Sequence, residues 1–256
     1  MTALAELDPA TLAQQFAEWG YKPSHAARVL RAFYEGREIV SSPARGLPVG
    51  LVEQLRNSFP DAGAALAARQ VAGDGTTKLL LRLADGHTVE SVLMPDFRMD
   101  RAAGCISSQV GCAMGCDFCA TTKTGFERNL TAGEIIEQFL ALRREARAVG
   151  RKLQTVVFMG MGEPMLNLDA VLTAVRRMAD NALGGLGWRQ ITVSTVGIVP
   201  GIEALTATGL NVHLAVSLHA PDDATRARLL PMGRRTIVEH VLETLTSAGI
   251  GLALIA

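Results

Sequence analysis

The sequence predicts an α/β fold, a parallel sheet with covering helices, preceded by a small helical region and a β-meander. From about residue 103 onward, short strand-like runs alternate with helix-like runs, and repeated strand–helix units mean a parallel sheet. Between 64 and 95 the period changes, and two Asp-Gly pairs separate strand-like runs. Between 8 and 60, apolar residues recur at helical spacing.

The N-terminal helices have readable ends. Asp8 is placed to cap the first, with Pro9 in its first turn, and Leu12, Phe16 and Trp19 form its apolar face before Gly20. Ser24 is placed to cap a second, with Ala27, Leu30 and Phe33 inward, and a third is expected from about Val49 to Phe59. Lys22, Arg28, Arg31 and Arg37 could touch RNA, but a solvated helix face is the preferred reading. The meander follows, with Asp74-Gly75 and Asp85-Gly86 as hairpin turns around 78–83 and 88–93. Expected strands of the parallel sheet are Cys105–Val110, Thr155–Met159, Gln190–Thr195, Val212–Ser217 and Gly251–Ile255. Thr131-Ala132-Gly133-Glu134 reads as a capping box, opening a helix that buries Ile135, Ile136, Phe139 and Leu142. Arg143, Arg147 and Arg151 recur every four residues as a basic stripe, expected to be solvated. Asn167 is placed to cap a helix over Leu168–Asn181. The expected organisation is a helical accessory domain at 1–62, a meander connector at 63–100 and an α/β core at 101–256.

Composition narrows the function classes. Lys+Arg and Asp+Glu are both 25, so any RNA contact must come from local patches rather than from a basic excess. The N-terminus MTALAELDPA has neither a basic start nor an apolar run, and no stretch approaches the ~18 apolar residues of a membrane span. No membrane partner and a reducing cytoplasmic location are expected.

Three of the four cysteines fall at Cys112, Cys116 and Cys119, spaced Cys-x3-Cys-x2-Cys. A tight loop of three thiolates is what an iron–sulfur cluster requires, since iron–sulfur sites are held by soft cysteine sulfur. A four-iron cube with three protein ligands leaves one iron open, and S-adenosylmethionine offers it an amino and a carboxylate group. Structural zinc wants four closed ligands, and no fourth lies near in the sequence. A disulfide framework fits poorly in a chain of this length without a secretory signal.

The loop resembles that of the radical S-adenosylmethionine superfamily. The wider run CISSQVGCAMGCDFCATTKTGFERNL, with Cys105 upstream, resembles the RlmN/Cfr family of ribosomal RNA adenine methyltransferases. That resemblance implies a partial (β/α)6-type barrel, incomplete at its C-terminal end, carrying a 4Fe-4S cluster and S-adenosyl-L-methionine. It implies an enzyme that methylates carbon 2 of adenosine in 23S ribosomal RNA and possibly in tRNA, with an electron donor such as flavodoxin or ferredoxin. Met159-Gly160-Met161-Gly162-Glu163-Pro164 ends the second strand, and its glycines allow a ligand to approach backbone carbonyls. By resemblance Gly162 and Glu163 grip the cofactor's amino group, with Ser194 in VSTVG and Ser217-Leu218-His219 in VSLHAPDD as further cofactor contacts. Glu90 in VESVLMP, by itself a solvent-facing strand residue, matches the family's general acid/base. Two more residues separate it from Cys105 than in the family pattern.

In the family's chemistry one cofactor methylates a cysteine near the C-terminus. A second cofactor, cleaved at the cluster, yields the radical that activates that methyl group. A second cysteine then resolves the protein–RNA adduct by forming a disulfide, and Cys105 matches it. The methylatable cysteine is absent, since no Cys follows Cys119. The resemblance covers about the first two thirds of a family member, so a fragment is the preferred reading. The alternatives are another radical enzyme of the activase type and a non-catalytic RNA-binding relative. Cys105 and Glu90 would be idle in the first, and the cluster ligands idle in the second.

Overall fold

The computed structural model describes residues 3–36, 46–59, 63–231, 241, 243–244 and 252–255. Helices α1 (Pro9–Glu18), α2 (His25–Tyr34) and α3 (Val49–Ser58) come first. The Asp8 carboxylate accepts the Thr11 N–H at 2.8 Å, and Pro9 opens α1 as expected. Ser24 sits before α2 but makes no side-chain cap. Its place is taken by backbone, because the His25 and Ala26 N–H groups donate to the Lys22 and Pro23 carbonyls. The inward face of α2 is Ala26, Val29, Leu30 and Tyr34, one step round from the expected face, and Ala27 is exposed. Lys22, Arg28 and Arg31 are exposed; Arg37 lies outside the described residues.

The meander strands β1 (Ala65–Val71), β2 (Thr77–Arg82) and β3 (Thr88–Pro95) are antiparallel. They do not stand apart. β3 pairs with β4 (Arg101–Cys105), the first parallel strand, which pairs in turn with β7 (Lys152–Phe158). With β8 (Ile191–Thr195), β9 (His213–Ser217) and β10 (Leu252–Ile255), one sheet runs in the order β1-β2-β3-β4-β7-β8-β9-β10. It is an α/β sheet whose parallel part forms an incomplete barrel. The strands before and after residue 100 therefore belong to one hydrogen-bonded unit.

The first parallel strand is earlier than the expected Cys105–Val110. It ends at Cys105, and the next residues bend away because their backbone is claimed by the loop after β7. Ser108 and Gln109 N–H groups both donate to the Met161 carbonyl, at 2.8 and 3.2 Å. Gln109–Gly111 then forms β5, paired with β6 (Phe126–Asn129) in a separate two-stranded sheet.

α4 (Ala132–Ala148) begins at the expected capping box, where the Thr131 hydroxyl accepts the Glu134 N–H and the Glu134 carboxylate accepts the Thr131 N–H. Ile135, Ile136, Phe139 and Leu142 are wholly buried, each worth roughly 1.5–3 kcal/mol of apolar burial. The arginine stripe is only partly solvated: Arg147 is exposed and Arg143 and Arg151 are half-buried, yet all three side chains are engaged. Arg143 donates to the Tyr34 carbonyl, Arg147 to that of Glu35, and Arg151 to those of Asp96, Arg98 and Arg101. These guanidinium groups dock α2 and the loop after β3. α5 (Leu168–Ala179), α6 (Val199–Ala207) and α7 (Asp223–Leu229) complete the described helices. Asn167 does not cap α5; its amide donates to the Ser108 and Leu130 carbonyls, both at 2.8 Å.

Candidate active site

The carboxyl ends of β4, β7, β8 and β9 open on one side of the sheet, where parallel folds place ligands. The cysteine loop lies here, held between β5 and β6. Gly111 has φ +73°, and a Cβ there would meet the Gly125 carbonyl oxygen at 1.8 Å, so only glycine lets the two strands close around the loop. The Cys112 N–H donates to that same carbonyl at 2.9 Å. The Thr122 hydroxyl ties the loop's end to the Cys116 and Cys119 carbonyls.

Cys112 and Cys116 are buried and Cys119 is half-buried, in a pocket shared with Met114, Val196, Ile198, Leu229 and Leu230. The three sulfurs stand close enough to influence one another, and Glu163 adds to the field at Cys112 and Cys116. Burial pushes the Cys112 thiol up and the Cys116 thiol up to about 11. Soft, free sulfur in a dry pocket is the donor set an iron–sulfur cluster takes, the iron displacing the protons. Among the described residues no three His, Cys, Asp or Glu side chains converge on the point a single metal ion would occupy. A four-iron cube takes its thiolates at separate corners, so the loop fits that group.

All four cysteines are free thiols, which corrects the expected disulfide. The pairing implied for Cys105 needs a cysteine beyond Cys119, and the sequence has none there. Cys105 ends β4 opposite Val92 and beside Val157, and burial raises its thiol to about 11.

The segment after β4 and the loop after β7 interlock. The Ser107 hydroxyl donates to the Glu90 carbonyl at 2.7 Å and accepts the Met161 N–H at 2.9 Å. The Gln109 side chain accepts the Glu163 N–H at 2.9 Å and donates to Asn129 at 2.8 Å. Gly162 has φ +99°, and a Cβ there would lie 2.5 Å from that of Gln109. Fully buried Gln138 closes the network, accepting from the Ser107 N–H and the Ser91 hydroxyl and donating to the Ser107 carbonyl. Ser107, Gln109 and Gln138 were not singled out from the sequence. The available signal was a run of polar residues, Ser107-Ser108-Gln109, inside a predicted buried strand.

Glu163 is 2% exposed. Its carboxylate accepts the N–H groups of Met165 at 3.0 Å and Val196 at 2.9 Å, and a side-chain bond from Thr195. Burial still pushes it above the usual carboxylate range, with those bonds pulling back. A carboxylate so placed gains from an incoming cation, and with three bonds already accepted it keeps about one acceptor site for an ammonium hydrogen. Ser194, near the end of β8, is buried; Ser217 and Leu218, at and after the end of β9, are half-buried. His219 is the one non-glycine residue with positive φ, +60°, among the described residues. Its ring lies 4.7 Å from that of Phe118 in the cysteine loop, which links the end of β9 to that loop. Burial, then the Arg226 charge, lowers its pKa and favours the neutral imidazole.

Glu90 is not simply solvent-facing. Cross-strand partners share a face of a sheet, so Val92 and Cys105 point the same way, and Glu90, two residues before Val92, joins them. The Glu90 carboxylate meets Lys78 Nζ on β2 at 2.9 Å, with both side chains half exposed. Its N–H approaches the Met161 sulfur at 3.4 Å.

Comparison with known proteins gives the chain a family. The family model for the radical SAM superfamily matches residues 106–253. A probable dual-specificity RNA methyltransferase RlmN 1 of Opitutus terrae is 72% identical over 240 residues, covering 94% of this chain and 68% of the relative. The dual-specificity RNA methyltransferase RlmN of Alkalilimnicola ehrlichii is 41% identical over 243 residues, covering 93% and 66%. The chain thus spans about two thirds of the length of these relatives. A crystal structure of a radical SAM methyltransferase from Sphaerobacter thermophilus superposes with a TM-score of 0.91 at 37% identity, covering 99% of this chain and 75% of that one.

Proposed function

The chain belongs to the radical SAM superfamily and, within it, to the RlmN family, and from that premise we propose that it is the cluster- and cofactor-holding part of an RNA methyltransferase acting on carbon 2 of adenosine. The substrates on this reading are 23S ribosomal RNA and transfer RNA, and a low-potential donor of the flavodoxin or ferredoxin class supplies electrons. The observation that carries it is the pocket of Cys112, Cys116 and Cys119 at the mouth of the parallel strands, with the Glu163 carboxylate bonded to the N–H of Val196, which packs against those cysteines.

The three thiolates would hold a 4Fe-4S cluster, with S-adenosyl-L-methionine as the second group of the site. When bound, the pair supplies a radical strong enough to activate a methyl group for an unreactive aromatic carbon. The chain's own residues orient and exclude water. Glu163 and the backbone around Gly162 take the cofactor's amino group, Ser194, Ser217 and Leu218 line its bed, and His219 with Phe118 closes one wall. Glu90 moves the ring proton of the adenine, and Cys105, on the same sheet face, resolves the protein–RNA adduct. The methyl-carrying cysteine on this reading belongs to the third of the relatives' length that the 256 residues do not span. Residues 1–62 are the accessory region, whose exposed Lys22, Arg28 and Arg31 are available to RNA, 63–100 bring in Glu90, and 101–256 are the catalytic core.

The test is anaerobic reconstitution of the full-length protein with iron and sulfide. Cofactor cleavage on adding dithionite, and a methyl gain on an adenosine-containing ribosomal RNA fragment by mass spectrometry, are expected. A Cys116→Ala protein that keeps the full iron and sulfide load would sink the cluster assignment. Cofactor cleavage with no RNA-dependent turnover would favour a different radical enzyme.

A further inference from the structure

Arg226 on α7 is 1% exposed, the most voluminous fully buried side chain among the described residues. A guanidinium keeps its charge in proteins, and a charge in a dry interior costs several kcal/mol unless opposite charge stands near it. Its surroundings tie it to the cysteine pocket. One guanidinium nitrogen donates to the Val196 carbonyl, and Val196 itself packs against the cysteines. That nitrogen also stands 3.3 Å from where a Cβ on Gly197 would lie, so the glycine leaves it room. The next residues of the helix, Leu229 and Leu230, pack into the cysteine pocket, and the Leu229 carbonyl accepts the Asp117 N–H at 3.0 Å.

α7 is thereby clamped to the cysteine loop, and its buried cation, which feels Asp223 at the start of the same helix first, also acts electrostatically on Cys116 and His219. Three thiolates around an oxidised four-iron core formally carry one net negative charge, and two after one electron enters. In an apolar pocket that extra charge is the unfavourable part of reduction. A fixed cation within range offsets it, and more so in the reduced form, where the negative charge is larger.

We propose that Arg226 is the fixed counter-charge of the cysteine-loop cluster, raising its reduction potential so that a one-electron donor of low potential can reduce it. The donor loses one electron, the cluster gains it, and no proton moves. This rests on the cluster reading above.

The experiment is an anaerobic titration of the full-length, reconstituted protein with dithionite, followed by electron paramagnetic resonance, with iron and sulfide content measured alongside. Arg226→Met and Arg226→Gln are expected to shift the midpoint to lower potential at unchanged cluster content, and Arg226→Lys to stay near the wild type. A fully loaded Arg226→Met protein with the wild-type midpoint overturns the proposal. So does an Arg226→Lys midpoint that falls as far as that of Arg226→Met. If the neutral variants hold no cluster while Arg226→Lys does, the charge retains the cluster instead of tuning its potential, and the proposal falls. If Arg226→Lys is also empty, Arg226 is a structural clasp and the proposal falls. A wild-type protein that takes up no iron overturns the cluster reading itself, and the counter-charge with it.

Discussion

Removing the Ser107 hydroxyl strands two partners at once, the Glu90 carbonyl and the Met161 N–H. Ser107→Ala is therefore expected to cost about 1–3 kcal/mol, the usual penalty for leaving a buried polar group unmet, read as a lower urea midpoint. Because Met161 precedes Gly162 and Glu163, cofactor affinity should fall with it. Glu163→Gln tests the neighbouring loop differently. The amide keeps one acceptor but turns its NH2 toward the N–H of Met165 or Val196, and it loses the charge that would meet an ammonium group. At least a tenfold loss of S-adenosylmethionine affinity by calorimetry is the expected outcome; unchanged affinity would remove Glu163 from the cofactor site. These residues differ in how far the sequence announces them. Cys112, Cys116 and Cys119 are visible because few other structures need three thiols so close. Ser107 and Gln109 act through partners 17 to 54 positions away, and no local pattern encodes that.

α4 shows the same division within one element. Its capping box and apolar face follow from residues three and four apart, and the structure has both. The use of Arg143 and Arg147 to hold α2, and of Gln138 to hold the strand ends, depends on what packs there and was read from the sequence as surface or not at all. The caps divide likewise: the Asp8 carboxylate takes its local Thr11 N–H, whereas the Asn167 amide is taken by the Ser108 and Leu130 carbonyls. α4 also carries a titrating group. Glu137 is buried, and a Cβ on Gly63 would lie 2.9 Å from its carboxylate. Burial raises it from 4.5 to about 7, with Arg144 opposing and Glu6 adding to the rise. A carboxyl raised on folding binds its proton more tightly in the folded state. Its contribution is full below 4.5 and is lost as pH climbs through about 7. Stability should thus decline over that window, by at most on the order of 3 kcal/mol. Glu137→Gln should flatten the decline in urea titrations at several pH values; an unaltered profile would assign it to another group.

The whole molecule is joined across its regions by polar staples. The Glu6 carboxylate reaches α4, accepting from the Thr131 hydroxyl and the Gly133 N–H, while Arg177 of α5 holds the Ala5 and Glu6 carbonyls at 2.7 and 2.9 Å. Glu6→Ala and Arg177→Ala should each speed proteolysis of the N-terminal helices. Because both act on one segment, the double variant should lose less stability than the two sum to, with a coupling of roughly 0.5–3 kcal/mol. Additive losses would mean that the two contacts work apart. The continuous sheet has a further effect. A strand offers two hydrogen-bonding edges, and β4 gives one to β7 and the other to β3. No later strand can pair with β4, so the parallel strands cannot be sewn into a ring as in a closed barrel. A lateral seam is built in at β4, whose last residue is Cys105, with Glu90 beside it on β3. A bulky, folded substrate could thus reach those two residues from the side, without threading a closed barrel mouth.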